Sequence, residues 1–310
     1  MPLPPPLTPG DTVAIIAPAS LPTDPEALPR GVARLEALGC RVEVGRSTID
    51  AHGYLAGPDA DRLDEINRYL RRDDVRALVC VRGGYGTLRL LPDLDYAAAR
   101  RHPKLLVGYS DVTALHLALH RNAGWRGLAG PMAAVEWGVM DAAAEAQFWQ
   151  VAGGAVLDPL TGPRGEPLHP LRPGAAEGVL LGGNLTLVAR LVGTPYLPDL
   201  SGAILFLEEV GELPYRIDGL LAQLRLAGIL ERLGGVVLGH FTEWEPDDDR
   251  PTLSLDAVLD DYFGAAPYPV ATGLAYGHVP YTSTIPVGVR ARLEVAGGTA
   301  TLAMCDPVAG

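Results

Sequence analysis

The first half of the chain alternates short apolar runs with amphipathic stretches. Residues 12–17 (TVAIIA) form a β-branched apolar run after the turn signal Pro9-Gly10-Asp11, which predicts a buried strand ending at Pro18-Ala19-Ser20. Ala27, Leu28, Val32, Leu35 and Leu38 recur at helical spacing and predict a helix over 25–38, closed by Gly39. A second strand is expected at 41–44 (RVEV), and 59–72 predicts an amphipathic helix with Leu63, Ile66 and Leu70 on one face. The apolar run at 76–81 (RALVCV) feeds directly into Arg82-Gly83-Gly84-Tyr85-Gly86. The run at 104–107 (KLLV) feeds into Gly108-Tyr109-Ser110-Asp111, with a helix expected from about Val112 to His120. Strands alternating with helices in this way predict a mainly parallel sheet flanked by helices. In such sheets ligands bind beyond the carboxyl ends of the strands, where both glycine-bearing turns fall.

Residues 153–176 are rich in Gly and Pro, show little periodicity, and read as a linker. They divide the chain into an N-terminal α/β domain (1–152) and a C-terminal domain (177–310). The second domain begins near Gly178, and Gly182-Gly183-Asn184-Leu185 leads into a helix to about Leu191. A strand over Ala203–Leu207, a helix from about Arg216 to Leu226 and a strand over Gly235–Leu238 follow. The tail from Ile285 to Met304 alternates apolar and polar residues and predicts β-structure; no internal repeat is present.

Composition narrows the partners. Hydrophobic residues make up 48% of the 310 and charged residues 20%, an ordinary balance for a soluble globular chain. A formal net charge of -12 with no Lys/Arg-rich run argues against nucleic acid as a partner. Cys40, Cys80 and Cys305 form no CxxC pair and no metal-type cluster; the first two sit in apolar stretches and read as small buried hydrophobes. An odd count without a disulfide framework fits a reducing compartment. The opening MPLPPP lacks the charged and apolar segments of a signal peptide, and no run of about 18 apolar residues predicts a membrane span. The expectation is a cytoplasmic protein with no membrane partner.

Candidate chemistry centres on the turns. A tight strand-to-helix turn projects its apical side chain and leaves helix N-terminal amides able to stabilise negative charge, so Ser110 is a candidate nucleophile. The G-x-S-x-G elbow is incomplete, because Val112 stands at its last position, and a serine there also serves as an ordinary helix N-cap. The Gly83-Gly84-Tyr85-Gly86 turn brings backbone amides close to an anion or oxyanion, but matches neither a P-loop nor a dinucleotide fingerprint. A serine nucleophile needs a base, usually His. His116 and His120 share a helix face, but no nearby carboxylate or Cys completes a metal site, so they read as a solvated or core pair. His278 lies in Tyr276-Gly277-His278-Val279-Pro280, within a Gly/Pro/Thr-rich stretch where a His serves either catalysis or a turn. Glu208 and Glu209 end a predicted strand; alternation sends them to opposite faces, so one of them faces a cleft.

In this order the residues resemble the LD-carboxypeptidase family (serine peptidase family S66, the muramoyltetrapeptide carboxypeptidases). The resemblance runs through Gly10-Asp11-Thr12-Val13-Ala14, Ala17-Pro18-Ala19-Ser20, Gly53-Tyr54-Leu55-Ala56-Gly57, Arg82-Gly83-Gly84-Tyr85-Gly86 and Gly108-Tyr109-Ser110-Asp111. It continues through Gly182-Gly183-Asn184-Leu185, Leu207-Glu208-Glu209-Val210-Gly211-Glu212 with Tyr215-Arg216, and Gly277-His278. It implies a parallel-sheet α/β domain carrying the nucleophile and a smaller C-terminal β-rich α/β domain. It implies a triad of Ser110 as nucleophile, His278 as base and Glu208 as its orienting carboxylate, because the family more often has Asp where Glu209 stands. The amides of Gly84 and Asp111 would form the oxyanion hole, with Arg82, Tyr85 and Asn184 as candidate substrate contacts. The implied reaction needs no metal or organic cofactor. The implied substrate is a murein tetrapeptide, cut between an L-centre of a diamino acid and terminal D-Ala in peptidoglycan recycling, by an enzyme that often forms homodimers. One departure is Ala129, in Ala129-Gly130-Pro131-Met132, where the family often has His. The same resemblance admits a microcin-type peptidyl-nucleotide hydrolase, which calls for an aromatic partner from Trp125, Trp137, Trp149 or Trp244. A non-catalytic protein that binds an anion or peptide at the glycine turns is the alternative of another class.

Overall fold

The apolar runs become strands with both faces covered, as their lack of alternation requires. The computed structural model describes residues 3–48, 51–245 and 251–310; Met1 and Pro2 of the proline-rich opening lie outside the described residues. In chain order the elements are β1 (Thr12–Ile16), α1 (Ala27–Ala37), β2 (Arg41–Val44), α2 (Asp59–Leu70), β3 (Val75–Cys80), α3 (Tyr96–Arg101), β4 (Leu105–Val107), α4 (Thr113–Ala123), β5 (Gly127–Ala129) and α5 (Ala142–Ala152). There follow β6 (His169–Arg172), β7 (Gly174–Asn184), α6 (Leu185–Arg190), β8 (Ile204–Val210), α7 (Pro214–Leu226), β9 (Gly235–Thr242), α8 (Leu255–Phe263), β10 (Val270–Thr272), β11 (Ile285–Val287), β12 (Arg290–Ala296) and β13 (Thr299–Met304). The chain forms two compact units, one of Met1–Val156, Thr284–Gly288 and Pro307–Gly310, the other of Leu157–Ser283 and Val289–Asp306.

The first unit holds a sheet in the order β2-β1-β3-β4-β5-β11. Its first five strands pair in parallel, and β11 pairs antiparallel with β5 through Ile285 and Ala129. β1 and β4 are buried at every position, as a doubly covered sheet demands. The chain winds one way from β1 to β2 and the other way from β3 onward, so β1 and β3 flank the point where the order reverses. That crevice, off the strands' carboxyl ends, is where open α/β sheets bind ligands. Ser20 follows β1 and the Gly83–Gly86 turn follows β3, while the next strand over, β4, leads to Ser110. Asp95 and Asp141 cap α3 and α5 by accepting from Ala98 N and Ala144 N, and Gly124, in the left-handed conformation, ends α4.

The second unit holds a sheet in the order β13-β12-β7-β8-β9-β10-β6. β7 to β10 run parallel, β12 and β13 add antiparallel on one side, and β6 adds antiparallel on the other. A bridge between Leu168 and Ala300 joins the two edges into a near-barrel. β12 alternates exposed and buried residues along its whole length, the pattern its sequence carries. Part of the segment read as a linker is therefore structured: β6 lies within 153–176, and β7 starts at Gly174. Strand pairing also returns Thr284–Gly288 to the first unit, which a division made along the sequence does not capture.

Candidate functional site

Ser110 stands where the sequence puts it, on the turn from β4 to α4, with a conformation that composition does not reveal. Its φ is +63°, a left-handed backbone in which a side chain costs roughly 1–2 kcal/mol. The strain marks an apex held by its surroundings. A 3-10 turn at Ser110–Val112 follows, then α4. The reading of Ser110 as a side-chain N-cap fails, because α4 is entered from Val112 with no side-chain cap.

The glycine turn packs directly on this apex. A Cβ placed on Gly83 would lie 2.8 Å from Ser110 Cβ, 3.0 Å from Ser110 Oγ and 3.4 Å from the Asp111 amide nitrogen, so only glycine permits the approach. Asp111 is buried and ties the two turns together. Its Oδ2 accepts from the Thr87 amide at 2.9 Å, and Thr87 Oγ1 donates to the Asp111 carbonyl at 2.7 Å. Gly84 is exposed, with φ +109°.

His116 and His120 belong to the core. His116 Nε2 lies 2.8 Å from the Gly108 carbonyl and His120 Nδ1 lies 3.0 Å from the Trp125 carbonyl. Burial pushes the His116 imidazole down to about 4, against backbone bonds that pull it up, and burial lowers His120 as well. His116 is therefore neutral at pH 7 and braces the carbonyl two residues before Ser110. Among the described residues no cluster of His, Cys, Asp and Glu is arranged to hold a metal ion. Cys40 and Cys80 are buried, as their apolar settings predict, and burial pushes the Cys40 thiol up to about 11.

In the second unit the paired glutamates separate as alternation requires. Both are buried, 0% and 3% exposed. Glu208 Oε2 accepts from His278 Nδ1 at 2.9 Å. A carboxylate only accepts, so Nδ1 carries the proton and the imidazole lone pair sits on Nε2. Opposite Glu208 the β8–β9 register shifts, so that Leu207 pairs with Leu238 and Glu209 with Phe241. This bulge beside Glu208 is the kind of irregularity that re-aims a side chain. Gly277, at φ +131°, lets the His278 segment pass: a Cβ there would come within 3.3 Å of Glu208 Oε2. Glu209 serves the fold instead. It accepts from Asn184 Nδ2 at 2.8 Å, from the Thr186 amide at 2.8 Å and from its neighbour Val210 N at 3.0 Å. Burial raises its carboxyl, and these bonds oppose the rise.

The expected substrate contacts divide. Asn184 is buried; its Oδ1 caps α6 through the Leu187 amide, and its amide group binds Glu209. Arg82 is half-buried and donates to the Leu21 carbonyl at 3.0 Å. Tyr85 is exposed and stands edge-on to exposed Tyr54, ring centroids 5.4 Å apart. Ala129 sits in β5, paired with Ile285. Sequence reasoning quoted Ser20 without assigning it a role. Its contacts join residues 34 and 65 positions away, a link no local pattern carries.

The first unit offers a serine on a strained strand-to-helix turn, and the second a histidine hydrogen-bonded to a buried carboxylate, groups of the kind serine hydrolases use. Residues 13–130 match the LD-carboxypeptidase N-terminal domain and residues 177–293 match the LD-carboxypeptidase C-terminal domain. A probable murein peptide carboxypeptidase of Bacillus subtilis is 39% identical over 301 residues, spanning 96% of this chain and 92% of its own. The crystal structure of muramoyltetrapeptide carboxypeptidase from Oxalobacter formigenes superposes with a TM-score of 0.83 at 34% identity, covering 96% of this chain and 99% of its own. The structure of MccF in complex with glutamyl sulfamoyl guanosine shares the fold with a TM-score of 0.88 at 21% identity, over 99% of each chain. The chain belongs to the LD-carboxypeptidase family and is a serine-type carboxypeptidase. Among the described residues no helix is long and apolar enough to cross a membrane.

Proposed function

We propose that this enzyme cuts the bond between the L-centre of a diamino acid and terminal D-Ala in murein tetrapeptides, as a step of peptidoglycan recycling. The observation that carries the chemistry is the hydrogen bond from His278 Nδ1 to buried Glu208, which prepares Nε2 to take a proton. In the proposed reaction Nε2 of His278 accepts the Ser110 proton as Oγ attacks the scissile carbonyl. The amides of Gly84 and Asp111 hold the developing oxyanion. His278 then returns the proton to the departing amine of D-Ala, leaving an acyl-enzyme on Ser110. Water, deprotonated by the same imidazole, releases the tripeptide and restores the serine. Each bond is made and broken by groups of this chain and water.

The murein substrate is favoured over a peptidyl nucleotide by the relatives: the probable murein peptide carboxypeptidase of Bacillus subtilis is 39% identical, whereas the microcin C7 self-immunity protein MccF of Escherichia coli is 27% identical. Trp125 and Trp137 are buried, their indole N–H groups donating to the Ala99 and Pro131 carbonyls. Trp149 packs edge-on against Trp137 and Phe148. These three serve the packing of the first unit, while Trp244, just after β9 in the second unit, is half-exposed. The proposal includes a cytoplasmic homodimer acting on small peptides, without a nucleic-acid or membrane partner.

The test supplies a murein tetrapeptide and an aminoacyl sulfamoyl nucleoside in parallel and follows release of D-Ala and of the amino acid. Release of D-Ala at the higher kcat/KM is expected. Preference for the nucleoside, with turnover abolished by Ser110→Ala, keeps the chemistry and overturns the substrate.

A further inference from the structure

Two sequence segments without a part in the proposed reaction, Ala17-Pro18-Ala19-Ser20 and Gly53-Tyr54-Leu55-Ala56-Gly57, meet at the glycine turn. Ser20 Oγ donates to the Tyr54 carbonyl at 2.7 Å and accepts from the Tyr85 amide at 3.2 Å. The Ser20 amide donates to the Gly83 carbonyl at 3.3 Å, and the Ala56 amide donates to the Ala19 carbonyl at 2.9 Å. Arg62, with no exposed surface, donates to the Pro18 carbonyl and fixes the segment from behind.

We propose that Ser20 is a positioning residue that aims the Gly84 amide at the reacting carbonyl oxygen. The inference rests on the reading of Gly84 as an oxyanion donor. The Gly83 carbonyl and the Gly84 N–H are opposite ends of one planar trans peptide, so they point in opposite directions. The Ser20 amide holds that carbonyl at 3.3 Å, a long single bond that leaves the plane free to tilt, so the direction of the Gly84 N–H depends as well on the plane that follows. The next peptide plane, between Gly84 and Tyr85, is held through its N–H by the Ser20 hydroxyl.

Gly84 is the joint between these two planes. At φ +109° and without a side chain, it has the widest backbone freedom of any residue type. One residue gripping both flanking planes narrows that freedom. The fit is close: a Cβ on Gly84 would lie 2.4 Å from Ser20 Oγ. The other end of the turn is already clamped, by Asp111 on the Thr87 amide. Ser20 is thus the second of two clamps on the turn that abuts the nucleophile. A preorganised donor costs no reorganisation at the moment of reaction, and losing one outright lowers kcat by about 100- to 1,000-fold.

The test is Ser20→Ala in the full-length enzyme. This variant keeps the amide bond to Gly83 and loses both hydroxyl bonds. It is assayed by D-Ala release from a murein tetrapeptide and by the rate at which a fluorophosphonate labels Ser110, which needs no natural substrate. A mis-aimed donor is worth less than a deleted one, so kcat and the labelling rate are expected to fall about 10- to 100-fold, with KM within about threefold and the secondary-structure spectrum unchanged. A variant that labels and turns over within twofold of wild type, or loses activity through KM alone, overturns the role of Ser20. Wild-type protein that is not labelled at Ser110 overturns the nucleophile reading itself, before Ser20 is compared.

Discussion

Oε2 of Glu208 and Nδ1 of His278 are 2.9 Å apart, and this carboxylate has no exposed surface while its neighbour Glu209 holds α6. One strand end thus supplies two buried carboxylates with separate duties. Glu208→Gln is expected to lower kcat by about 1,000- to 10,000-fold with little change in KM, because an amide no longer dictates which nitrogen of His278 is protonated. Glu209→Gln is expected to keep kcat within about tenfold and to lower stability by about 1–3 kcal/mol, through a buried acceptor lost to the Thr186 or Asn184 amides. Steady-state kinetics and urea unfolding of the two variants separate the duties. Equal kinetic loss in both contradicts the assignment.

The left-handed backbone at Ser110 makes a stability prediction independent of catalysis. Ser110→Ala and Ser110→Gly both remove the hydroxyl, but alanine keeps a Cβ at φ +63° and glycine does not. Ser110→Gly is expected to be the more stable of the two by about 1 kcal/mol, the strain relief being partly offset by glycine's larger unfolded-state entropy. Denaturant midpoints measure the difference; an alanine variant that is the more stable places the strain elsewhere.

Gly83 offers a steric test. Gly83→Ala sets a Cβ 2.8 Å from that of Ser110 and is expected to reduce kcat/KM by about 100-fold or more, the scale on which a misplacement near 1 Å acts. Gly219, exposed in α7, is the control: nothing lies within 4 Å of its would-be Cβ. Gly219→Ala is expected to retain full activity and gain up to about 1 kcal/mol from helix propensity.

Burial of His116 predicts an acid limb of stability. Its folded pKa, about 4, lies below the unfolded 6.5, so the unfolded chain binds the extra proton in between. This contribution is fully present above pH 6.5 and is lost as pH falls toward 4, a change on the order of 3 kcal/mol. His120, lowered by burial too, acts in the same direction. Unfolding free energy measured between pH 7 and pH 4 is expected to fall, and His116→Gln is expected to flatten the slope. A slope unchanged in the variant assigns it to other groups.

Much of this was legible along the chain because the first sheet is doubly covered. The inner strands β1, β3 and β4 are largely apolar runs and lie within a residue of where they are expected, while the half-exposed edge strand β2 (RVEV) is marked by its valines. β6 was hidden in a segment read as linker: its four residues HPLR are all exposed and include a proline, so neither burial nor alternation marks them. β5 reads Gly127-Leu128-Ala129, with one large apolar side chain in three residues, too little to mark a strand where β4, of the same length, has three. At the site, turn chemistry announced Ser110 and the glycines, while alternation separated Glu208 from Glu209 without saying which one meets His278. Asn184 carried a polar side chain beside a glycine pair, the same surface signal a ligand contact gives, yet both its ends are spent on α6 and Glu209. Ser20 was silent because its meaning lies in peptide planes that only the folded β1 and β3 bring together.

The most direct test of the account is to label the enzyme with a fluorophosphonate, locate the adduct by peptide mass spectrometry, and repeat the labelling with murein tetrapeptide present. The account predicts one adduct, on Ser110, formed more slowly as tetrapeptide is added and absent from His278→Ala on the same time scale. An adduct on another residue, or labelling of Ser110 that proceeds unchanged without His278, contradicts it.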